Sequence, residues 1–64
     1  MDEITLRFFE GPNMIIGGPD AIRFYGWWRY ALESESTEVS GRHVARNEVY
    51  DVIGVPLCYE GGCK

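Results

Sequence analysis

One stretch of this chain carries a clear helical period. Ala21, Phe24, Tyr25, Trp28, Ala31 and Leu32 recur at spacings of three and four. At about 100° per residue they occupy an arc about 120° wide, the stripe a core-facing helix presents. Pro19-Asp20 opens the segment. Asp20 is a good N-cap, or Pro19 takes the first helical position with Gly18 capping. A helix is expected over residues 20–33, fading at Glu33-Ser34, where Ser-Glu-Ser-Thr brings in weak helix formers. A lone amphipathic helix must bury its stripe against something else, and the rest of the chain reads as strand.

Ile4-Thr5-Leu6-Arg7-Phe8-Phe9 alternates, with Ile4, Leu6 and Phe8 on one face and Thr5 and Arg7 on the other. The turn cluster Glu10-Gly11-Pro12-Asn13 separates it from Met14-Ile15-Ile16, closed by Gly17-Gly18. So short a connection predicts a hairpin. Residues 34–43 are polar and read as the longest loop, with Thr37-Glu38-Val39 able to extend. The tail is rich in β-branched residues and Tyr, which favours a second hairpin, His43–Arg46 against Val49–Ile53. Asn47 as cap and Gly54 as stop would instead mark a short helix there. Val55-Pro56-Leu57-Cys58-Tyr59 continues extended. The expected fold is α+β: a β-hairpin, one helix, then two or three further strands, in a small antiparallel sheet with the helix packed on one face.

With 64 residues and 7.3 kDa, residues 1–64 form a single domain. Hydrophobic burial worth on the order of 95 kcal/mol is offset by a similar ordering cost, so association with a partner or a second copy weighs heavily. The longest near-apolar run, Met14 to Pro19, is far short of the roughly 20 residues that span a membrane. The start, Met-Asp-Glu, lacks a basic region and an apolar signal core, so the expected location is cytoplasmic. The net charge of −4 is blocky: residues 21–32 carry +2, residues 33–40 carry −3 and residues 41–47 carry +2. An acidic balance argues against direct binding of a phosphate backbone, although Arg7, Arg23, Arg29, Arg42 and Arg46 could cluster in space.

The residues that carry chemistry elsewhere make no complete set here. Cys58 and Cys63 lie four residues apart across two glycines, able to form a disulfide or to supply two metal ligands with His43 as a third. Structural zinc asks for four ligands, and in a reducing cytosol free thiols are expected. Nothing places His43 beside either cysteine for nucleophilic catalysis. Gly17-Gly18-Pro19-Asp20 lacks the Lys-Ser/Thr of a phosphate loop and reads as a strand-to-helix connection with a glycine at positive φ. Glu33 and Glu35, and Glu48 and Asp51, have no apolar pocket beside them and read as surface. No catalytic residue, metal or cofactor is expected.

The most informative segment is Arg23-Phe24-Tyr25-Gly26-Trp27-Trp28-Arg29-Tyr30. Trp28 falls in the core arc. Arg23, Trp27 and Tyr30 follow i, i+4, i+7 spacing on the other side and are the residue types most enriched at interface hot spots. Gly26 beside them lowers the surface. The competing reading packs Trp27 under the 34–43 loop or on sheet residues, with Arg23 stacked on it. The expected function is a non-enzymatic protein-binding module, with Arg23, Trp27 and Tyr30 and the acids Glu33, Glu35 and Glu38 meeting a partner that is basic or itself binds nucleic acid. A small, acidic chain free of catalytic motifs resembles the inhibitors that phages and mobile elements use against host machinery. A second reading is a small-ligand binder with an aromatic pocket of Tyr25, Trp27 and Tyr50 at a homodimer interface. A third is a minor metal or redox role at Cys58 and Cys63.

Overall fold

The computed structural model describes residues 3–56. The elements run β1 (Glu3–Phe8), β2 (Met14–Gly17), α1 (Gly18–Tyr30), β3 (Ser36–Val39), β4 (Arg42–Ala45), a 3-10 turn (Arg46–Glu48) and β5 (Val49–Ile53). The α+β class follows: one helix packs on antiparallel strands and contacts β1 and β2.

The alternation in β1 sets the layers. Ile4, Leu6 and Phe8 are buried, whereas Thr5 is half-buried and Arg7 exposed. β1 is the central strand, with β2 on one side and β5 on the other, both antiparallel to it. Ile4 pairs with Ile16 and Leu6 with Val52, so the core face collects apolar residues from all three strands. A bulge between Arg7 and Phe8 shifts the register, so that Phe8 pairs with Val49.

The remaining strands correct the sequence reading. β4 does not pair with residues 49–53. It pairs with β3, while β5 crosses back to β1, so five strands form a three-stranded and a two-stranded sheet. The cause is local. Ser40 and Gly41 both take positive φ, 52° and 79°, the backbone that a two-residue hairpin turn of type I′ requires. Residues 36–45 therefore close on themselves and turn the expected loop into a hairpin, with Val39 and Val44 both fully buried.

The helix also differs at its ends. It starts earlier, with Gly17 as the extended cap and Gly18 at φ 62°. Asp20 sits in the first turn instead of at the cap, favourably placed for the helix dipole. It stops at Tyr30, because Ala31 turns extended while its N–H still donates to the Trp27 carbonyl, 2.9 Å. Leu32 is locked outside: its N–H donates to Glu35 Oε1 (3.1 Å) and its carbonyl accepts from the Glu35 N–H (3.0 Å). The core arc is thus shorter than expected. Ala21 and Phe24 are buried, Tyr25, Trp28 and Ala31 half-buried, and Leu32 exposed.

Candidate protein-binding surface

The stripe of Arg23, Trp27 and Tyr30 is not one continuous free surface. Arg23 joins α1 to β3, donating from Nη2 to the Glu38 carbonyl (2.7 Å) and from Nη1 to Thr37 Oγ1 (3.4 Å). One turn earlier, Asp20 Oδ2 accepts from the Ser40 hydroxyl (3.1 Å). By helical angle Trp27 lies within about 40° of both residues, on the side that meets the β3–β4 hairpin. Accordingly it is half-buried, packed on the core, with its ring 5.3 Å from that of Phe24. This favours the competing reading of Trp27, although Arg23 bonds to the hairpin instead of stacking on the indole. Gly26 is buried, so it does not lower an exposed face.

Tyr30 is different. It is 75% exposed, Leu32 is 66% exposed, and Glu33 follows in an open turn. The three carboxylates expected at the site divide by role. Glu33 is exposed and Glu38 carries an exposed side chain on the outer side of the hairpin, opposite His43. Glu35 closes the turn that holds Leu32, and its carbonyl accepts from the Arg46 N–H, 2.8 Å.

Four of the five arginines lie over aromatic rings. Arg7 lies over Tyr50 (5.1 Å), Arg29 over Tyr30 (5.5 Å), Arg42 over Phe8 (4.4 Å) and Arg46 over Trp28 (3.5 Å). A cation on a ring face gains electrostatic energy while its stem covers apolar surface. At this spacing Arg46 acts as a lid on Trp28, which explains how a half-exposed indole is tolerated.

The aromatic pocket of Tyr25, Trp27 and Tyr50 does not assemble within one chain. Tyr25 and Trp27 pack on the core side, whereas Tyr50 meets Phe9 edge to face (5.2 Å) and Arg7 on the outer side of the sheet. A cleft of about 320 Å³ lies elsewhere, at the end of β1, lined by Phe8, Phe9, Glu10, Arg42, Asn47 and Glu48. The sequence does not announce it, because its lining comes from three separate segments, residues 8–10, Arg42 and residues 47–48.

His43 is exposed and its Nε2 shares a hydrogen bond with the Ser36 hydroxyl, 3.0 Å. Among the described residues no group of three or more His, Cys, Asp or Glu is placed to hold a metal ion. Cys58 and Cys63 lie outside the described residues. No helix among the described residues is long and apolar enough to cross a membrane. Compared with protein-family models, with curated proteins and with solved structures, the chain matches none.

Proposed function

We propose that this chain is a cytoplasmic, non-enzymatic binding module that covers a basic surface on another protein. The observation that carries the reading is the end of α1: Tyr30 and Leu32 stand exposed beside Glu33, and past Arg29, which lies over the Tyr30 ring, the chain holds three acids and no base as far as Gly41. The helix C-terminus adds its own partial negative charge there. An exposed aromatic and a leucine with an acidic rim suit a partner that offers an apolar pocket among lysines and arginines. Glu38 extends the acidic field onto the hairpin, and Glu35 holds the turn. Arg23 and Trp27 fix α1 against the hairpin and the core. Covering that surface would block its other uses, so the module is read as an inhibitor, similar in size and acidity to the small inhibitors of phages and mobile elements.

The test is affinity capture from cell lysate with the wild type and with Tyr30→Ala/Leu32→Ser. Both side chains are exposed, so the double variant should fold normally by circular dichroism. The reading expects a protein that the wild type retains, that elutes as salt rises, and that the double variant loses. Capture that survives the double substitution, or that salt does not affect, overturns it.

A further inference from the structure

Among the described residues, the largest concentration of exposed apolar side chains lies on the other side of the molecule. α1 packs on the inner side of β1 and β2, and the exposed apolar side chains stand on the outer face of the β2-β1-β5 sheet. Thr5 pairs with Ile15 on β2 and with Ile53 on β5. Directly opposed residues share a face, so Ile15, Thr5 and Ile53 form one row across all three strands. Phe9 and Tyr50 join at one end. Phe9, Ile15, Tyr50 and Ile53 are 67%, 66%, 55% and 50% exposed, together on the order of 500 Å² of side-chain surface.

We propose that a second copy of this chain covers this face, in a two-fold dimer whose axis runs along the Ile15–Thr5–Ile53 row. The charges select this occupant. Glu3 and Arg7 lie on the same face of β1 as Thr5, two residues to either side of it, and Arg7, 4.0 Å from Asp51 opposite it on β5, keeps about half of its side chain exposed for a second carboxylate. A two-fold axis through Thr5 lays β1 on its mate in reverse, which sets Arg7 of each copy against Glu3 of the other. The same operation stacks the isoleucines of the row on themselves. The end carrying Phe9 and Tyr50 then meets the end where Gly54 lies against Glu3 and Ile4 and where Val55, 62% exposed, follows. Self-complementarity of this kind is what an isologous interface needs. Complete burial of two such faces removes about 1,000 Å², the area of a weak dimer and below the roughly 1,200 Å² of a stable one. This inference is independent of the binding site proposed at the end of α1, which lies on the helical layer and stays free in both copies.

The experiment is sedimentation of the full chain, with circular dichroism as a control for folding. The wild type is expected to be dimeric at about 100 μM. Ile15→Lys should be a folded monomer, because Ile15 points out of the fold, and Ile53→Lys serves as the second variant on the opposite edge. Arg7→Glu should weaken dimerisation about tenfold or more. Adding Glu3→Arg to it should restore the affinity to within about threefold, because each exchanged charge again meets its opposite across the axis. A monomeric wild type overturns the proposal and leaves the face to a different protein. A dimer that survives both lysine variants, or a double charge exchange that fails to restore it, overturns the proposed axis and face.

Discussion

Phe24 shows how much one residue decides in a domain of this size. It is fully buried, lies 5.3 Å from the Trp27 ring and stacks at 6.5 Å on Trp28. Phe24→Ala should cost about 3–5 kcal/mol, enough to unfold a chain whose total stability is at the low end of the usual range. Trp27 and Trp28 are both half-buried, so the expected contrast between a core Trp28 and a free Trp27 gives way to two intermediate positions. Each Trp→Ala variant should lose about 1–3 kcal/mol and remain folded at room temperature. Thermal melts of the three variants check the order; a Trp27→Ala protein as unstable as Phe24→Ala would contradict it. Gly54 is a different kind of single-residue constraint. At φ 98°, a Cβ would also sit 3.2 Å from the Glu3 carbonyl oxygen. Gly54→Ala should therefore destabilise by about 1–2 kcal/mol or more through backbone conformation alone.

At the scale of elements, the β3–β4 hairpin is the unit that the rest of the fold accommodates. Its turn rests on Ser40 and Gly41 in left-handed conformations. A single Gly41→Ala change should cost about 1–2 kcal/mol, although nothing lies near the added methyl. Arg23 holds the hairpin to α1 with one strong bond to a backbone carbonyl and one weaker bond to a hydroxyl. Arg23→Ala should cost about 1 kcal/mol globally. Its clearer sign is faster amide hydrogen exchange in β3 and β4 with β1 unchanged, since the hairpin is tied to α1 while β1 is held by its own ladder. Equal acceleration in β1 would mean that the two sheets open as one unit and that Arg23 is not a local fastener.

At the scale of the whole molecule, α1 packs on the inner side of β1 and β2, and among the described residues no second helix lies on the outer side of the sheet. An exposed row of isoleucines is a reason to associate. If copies pair through that row, stability becomes a function of concentration. The melting temperature should rise as protein concentration increases tenfold and fall on dilution, whereas Ile15→Lys should melt at one temperature throughout. The Arg7–Glu3 contacts across the axis add a salt dependence: dimerisation should weaken between low and high ionic strength, more so for the wild type than for a variant lacking both charges.

The sequence alone determined what depends on neighbours in the chain. The period of two in β1 assigns Ile4, Leu6 and Phe8 to the core, and the four-residue turn cluster makes β1 and β2 a hairpin. The period of 3.6 after Pro19 makes the helix, and a helix among strands makes the class α+β. Tertiary structure decided what depends on competition between distant segments. Residues 49–53 have the composition of a strand but no local signal for a partner; β1 offers an open edge, and β3 claims β4 first through a two-residue turn. The Ser40-Gly41 pair is a two-residue turn that polar composition alone does not distinguish from a loop. The helix end moved because Glu35 captures Leu32, a contact between residues outside the helical period. The surface changed for the same reason. Helical spacing places Arg23, Trp27 and Tyr30 on one stripe, but it holds no information about the hairpin that meets Arg23 and Trp27 and leaves Tyr30 exposed.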